Sequence, residues 1–152
     1  MCIRDRFDLD ATATFVSSTM TVKRNEGAMT SDLVLDGCDL ELVEIKMDGR
    51  SLDVADYTLE PIDCPTTLTV HSVPELSVIE ITTRINPQSN TVLEGLYLTT
   101  GNYCTQCEAE GFRRITWYPD RPDVMARFSV RIVADKTACP VLLSNGNEID
   151  RG

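Results

Sequence analysis

The sequence predicts an all-β fold of curved, saddle-like packed sheets, antiparallel or mixed. Three observations carry that prediction: β-branched and aromatic residues alternate with polar ones, turn pairs recur between these runs, and no stretch of about 12 residues keeps a helical period. The length of 152 residues is that of one domain, long enough to bury a core without relying on disulfide or metal staples.

Taken in order, residues 1–6 show none of the alternation that follows and read as a non-native or disordered leader of the kind sequencing adapters leave. The domain proper is then 7–152. Phe7, Leu9, Ala11, Ala13 and Phe15 share one parity and predict a first strand, as Ile79, Ile81, Thr83 and Ile85 predict a later one. Phe128, Val130, Ile132 and Ala134, opposed by Arg127, Ser129 and Arg131, predict a strand with one buried and one wet face. Asp36-Gly37, Asp48-Gly49, Gly101-Asn102 and Asn145-Gly146 are turn signals, and Pro61, Pro65, Pro74 and Pro87 punctuate the rest. A single helical turn is expected over 122–126, with Asp120 as cap and Pro122 at its first position. Near the end, Val141-Leu142-Leu143-Ser144 runs into Asn145-Gly146 as a hairpin would. Its return arm is cut short, which predicts a domain truncated at its C-terminal end.

The 24 acidic and 14 basic side chains give a formal charge of −10, which disfavours phosphate backbones and anionic headgroups, so neither nucleic acid nor membrane is an expected partner. No apolar run is long enough to span a bilayer and no signal-peptide core opens the chain, so a cytoplasmic, reducing location is expected. Six cysteines scattered through a chain of this size are expected to be mostly free thiols.

The most unusual composition lies between Tyr103 and Phe128, which holds the only tryptophan and places charges inside a strand-like run. From the residues alone, Glu108 and Glu110 with Arg113 and Arg114 form either a structural ion-pair cluster or, through Glu108, a cation site. Cys104 and Cys107 have the spacing of half a zinc knuckle or of a redox pair, but no second ligand pair follows and no strand feeds a helix there. Glu26-Gly27-Ala28-Met29-Thr30 reads as an ordinary turn. His71, the lone histidine, is expected to face solvent or fill a strand position, and one histidine supports no Ser/His/Asp set.

Gln106-x-Glu108, then Arg113, Asp120-x-Pro122 and Ala126-x-Phe128 resemble, in order and spacing, the shared segment of the M1 family of zinc aminopeptidases. The wording from Cys104 to Arg113 is similar to the bacterial aminopeptidase N branch. Asn90 to Tyr97, Ile132 to Lys136 and Leu143 to Asn147 fit the same branch. The resemblance implies the N-terminal β domain of an M1 enzyme. Its Gln106 and Glu108 would hold the free α-amino group of a peptide substrate, and the domain would pack on a catalytic domain absent from this chain. It implies zinc in the parent enzyme only: the family's His-Glu-x-x-His and later glutamate are not in these residues, so no catalytic residue and no metal ligand is expected here and the fragment should be inactive. Alternation is expected to put Gln106 and Glu108 on one strand face. A non-catalytic M1-like scaffold and an unrelated β-sandwich binding module are the rival readings. The second would call for Asp/Asn calcium loops or exposed aromatic rows, and neither is evident.

Overall fold

The computed structural model describes residues 1–60, 64 and 66–152, so the expected breaks at Pro61 and Pro65 lie outside the described residues. The described residues contain eleven strands and one 3-10 turn. The main sheet runs β11 (Arg127–Val133), β1 (Cys2–Asp8), β2 (Thr14–Lys23), β8 (Leu76–Ile85), β4 (Glu41–Met47), β5 (Arg50–Ser51). Its neighbours are antiparallel except β1 and β11, which run parallel. A smaller sheet is ordered β3 (Leu33–Gly37), β7 (Thr66–Val70), β6 (Tyr57–Glu60), and β9 (Gly95–Thr99) with β10 (Asn102–Gln106) forms a hairpin. The all-β expectation, with mixed and antiparallel sheets, is therefore met.

Strand β8 shows why these residues pack as they do. Its parity puts Ile79, Ile81, Thr83 and Ile85 on the buried face, as the alternation requires. Paired along its length with β2, it sets Met20 and Val16 beside them at no exposure. Leu35, Leu68 and Val70 of the smaller sheet and Trp117 close over this face to make the main core. A second cluster of Phe7, Val16, Ile85, Leu96 and Ile115 joins the main sheet to the β9 hairpin and to the segment after it.

Several expectations change. The single-parity run from Phe7 to Phe15 is two strands and a turn. Asp10 Oδ1 accepts the backbone N–H groups of Thr12 and Ala13 and bends the chain, so Phe7 is buried while Phe15, across from Asp8, is exposed. Residues 2–6 are not a disordered leader, since they form most of β1. Asp36-Gly37 is no turn: Gly37 ends β3 directly under the Trp117 indole, where a Cβ would collide with the ring. Strand β11 has no fully buried face of the expected kind: Phe128, although it meets the Phe112 and Tyr118 rings, is 49% and Val130 41% exposed, and Ile132 is half-buried. In place of the helical turn over 122–126 there is a β-turn closed by Val124 N–H to Arg121 O, and among the described residues the only helical turn is Phe112–Arg114. Cys38 and Cys64 are bonded, while Cys2, Cys104, Cys107 and Cys139 are free.

Asp5 stands where the alternation of β1 calls for an apolar residue. It is 3% exposed, and neither carboxylate oxygen has a hydrogen-bond partner in good geometry. Burial pushes its pKa up to about 6 from 3.8, and the nearby Ser18 hydroxyl offsets only part of that shift. Between those values the unfolded chain holds fewer protons than the folded one. Stability linked to Asp5 is therefore greatest below the lower value, falls as pH rises through the window, and is fully lost above about 6. Replacing Asp5 by Leu or Asn is expected to stabilise the chain near neutral pH by up to about 3 kcal/mol, from the size of the shift, and to do so much less in acid. Urea midpoints of both proteins on either side of the window check this; an equal difference at both pH values would refute it.

Candidate functional site

Strand β10 ends at Gln106 and the chain turns at once: residues 108–111 form a turn that leads into the Phe112–Arg114 helical turn. Glu108 is thus on a turn and not on the strand, which corrects the expected shared strand face. The two residues are brought together another way, by Gln106 Nε2 donating to the backbone carbonyl of Glu108 at 3.2 Å. Both side chains are exposed. With its NH2 so engaged, Gln106 keeps Oε1 as an acceptor.

Tight backbone packing holds the turn. Gly111 N–H donates to Cys107 O at 2.9 Å, and a Cβ on Gly111 would lie 2.7 Å from Gln106 O, so this position has room only for glycine. Behind it, Arg113 is clamped by Asp120, whose Oδ2 accepts both the backbone N–H and Nε of Arg113, at 3.0 and 3.1 Å. Arg113 Nη2 donates to Asp120 O and to Glu110 Oε2. Asp120 is fixed in turn by its own N–H donating to Asp36 Oδ2 at 3.0 Å, next to the paired backbones of Asp36 and Tyr118. Phe112 seats the turn by edge-on contacts with Tyr118 and Phe128, at 5.1 and 5.7 Å between ring centres.

Arg114 points to the other side, pairing with Asp39 and with Glu94. The ion-pair cluster suggested by the residues therefore exists, but with different members. Arg113 takes Glu110 and Asp120, Arg114 takes Asp39 and Glu94, and among the described residues no cation pairs with Glu108. Asp36 and Asp39 were not legible as site residues. Their one signal was an acidic pair around Gly37 that the turn reading absorbed.

The thiol of Cys107 is pushed up to about 11, first by burial and then by the Asp120 charge, which keeps it protonated and a poor nucleophile. His71 bridges Thr58 Oγ1 at 2.8 Å and Asp32 at 3.4 Å, well apart from this turn in the fold. The 26–30 segment is a plain turn with Gly27 at φ +81°. Among the described residues no group of three or more His, Cys, Asp or Glu is placed to hold a metal, and no helix is long and apolar enough to cross a membrane.

An all-β domain of mixed and antiparallel sheets, with Gln106 and Glu108 exposed at the end of β10 and no metal-ligand set among the described residues, is the class of protein that the fold and this turn define. Residues 6–152 match the Peptidase M1 N-terminal domain, and the chain belongs to that family. It is 47% identical over 146 residues to an aminopeptidase N of Caulobacter vibrioides and 44% identical to that of Escherichia coli. In both cases the match covers 96% of this chain but only 16% of the relative. A crystal structure of Legionella pneumophila aminopeptidase A in complex with aspartic acid superposes with a TM-score of 0.89 at 33% identity, over 99% of this chain and 17% of that one. A yeast LTA4 hydrolase shares the fold, with a TM-score of 0.73 at 20% identity over 88% of this chain and 22% of that one.

Asp120→Ala is expected to leave Arg113 as an uncompensated, largely buried charge and to destabilise the chain by about 3–5 kcal/mol. Asp120→Asn, which keeps an acceptor, should cost less. Denaturant unfolding of the two variants checks the order.

Proposed function

We propose that this chain is the amine-recognition part of a zinc metallo-aminopeptidase that removes N-terminal residues from peptides. In this reading the chain, with residues 2–6 as part of β1, forms the N-terminal β domain, which packs on a catalytic domain of the parent, and the fragment alone does not hydrolyse peptides. Zinc would be held by the remainder of the parent, and no step at the metal involves a residue of this chain. The parent would work in the cytoplasm, where free thiols such as Cys2, Cys104, Cys107 and Cys139 persist.

The observation that carries the reading is the free carboxylate of Glu108. Two arginines lie five and six residues further on, and both are spent on other acids. A peptide's α-amino group, with a pKa near 8, is mostly protonated at neutral pH and supplies the missing cation. Glu108 takes it in a charge-assisted hydrogen bond and Gln106 Oε1 takes a second N–H. An amine pinned at the end of a cleft leaves only the first peptide bond in reach of the chemistry, which is how binding residues define an exopeptidase.

In the full-length enzyme, Glu108→Ala is expected to lower kcat/KM by roughly 30-fold to several-thousand-fold, the range for leaving one member of a buried charge pair alone. Peptides whose amine is acetylated should be poor substrates of the parent and insensitive to the substitution. Turnover of the variant within twofold of the parent's, by about 0.4 kcal/mol, would sink the assignment.

A further inference from the structure

Cys38 follows directly on β3, and Cys64 precedes β7 by two residues. Their Cα atoms are 5.0 Å apart, within the span a disulfide needs, and the sulfurs are bonded. The two ends differ in environment. Cys38 is 1% exposed, whereas Cys64 is exposed, so an incoming thiolate can reach only the Cys64 sulfur. Arg114 Nη2 lies 3.5 Å from Cys64 Sγ, a guanidinium placed to stabilise a thiolate there. A hollow of about 390 Å3 opens beside the bond, lined by Cys38, Asp39, Asn86, Asn90, Leu96 and Arg114 among others.

The same residues back onto the turn that carries Glu108. Cys38 N–H donates to Arg113 O at 2.8 Å, and Asp39 pairs with Arg114. We propose that Cys38–Cys64 is a thiol–disulfide exchange site for a low-molecular-weight thiol and its disulfide, and that its state sets how firmly the Phe112–Arg114 turn is held. In the reducing direction a small thiolate attacks the Cys64 sulfur, the Cys38–Cys64 bond breaks, and Cys38 leaves and takes up a proton. A second small thiolate attacks the small-thiol sulfur of the mixed disulfide, forming the small disulfide and releasing Cys64 beside Arg114. Two cysteine thiols are gained, two small thiols are oxidised, and their two protons pass to the cysteines or solvent. Oxidation is the reverse. The inference stands apart from the amine-recognition reading, since it concerns the hold on the turn and not what Glu108 binds.

The 152-residue chain, equilibrated in glutathione buffers of graded ratio, quenched in acid and then alkylated with iodoacetamide in denaturant so that buried thiols react too, should show by mass four alkylated thiols at the oxidising end and six at the reducing end, reversibly. Hydrogen exchange at Cys38 and over residues 112–116 should be roughly tenfold faster in the reduced form. Cys64→Ser should show the fast pattern at every ratio, and Arg114→Gln should slow the approach to equilibrium. Six thiols at every ratio, a bond that resists the most reducing buffer, or reduction without a change in exchange over 112–116 would each overturn the proposal.

Discussion

The Arg113–Asp120 clamp is the interaction on which the arrangement of this chain depends. The residues are close in sequence, yet the bond joins the turn after β10 to the segment that enters the core. Asp120 is itself held by Asp36 of β3, so the clamp ties the Phe112–Arg114 turn to the smaller sheet. Both partners are largely buried, with side chains 13% and 10% exposed, and the backbone carbonyl of Asp120 takes a further guanidinium N–H. A buried ion pair repays its desolvation only when its remaining hydrogen bonds are made. Here they are, and the result is a turn with little freedom to reposition Glu108.

Packing supports the same end. The run from Ile115 to Tyr118 is core, with Trp117 closing on Gly37 and Ile115 joining the second cluster. The charged residues around it are sorted by geometry into engaged and free. Arg113 and Arg114 emerge on opposite sides of one helical turn, and each finds acids from a different part of the chain. Glu108 remains outside these pairings on a protein whose net charge is −10, a setting that favours a cation over an anion.

The edge of the main sheet has a different character. Strand β11 exposes Phe128 and Val130, and Val141, Leu143 and Ile149 beyond it are more exposed still. Exposed apolar side chains are what proteins use against another chain segment or domain, and the match covers 16% of the curated relatives' length.

By itself the sequence determined the fold class, the buried face of β8 and the importance of the stretch from Tyr103 to Phe128, because alternation and residue order are local properties. Family membership was legible for the same reason, through the spacing of Gln106, Glu108, Arg113 and Asp120. Only the tertiary structure decided what those residues do to one another. It ended β10 at Gln106 and put Glu108 on a turn, and it gave Arg113 to Asp120 and Arg114 to Asp39 and Glu94. It also made Gly37 a contact for Trp117, left the apolar side of β11 only partly covered and joined Cys38 to Cys64. The pairing of Arg114, the Gly37–Trp117 contact and the Cys38–Cys64 bond depend on residues 20 or more positions apart meeting in space, and periodicity carries no information about partners at that distance.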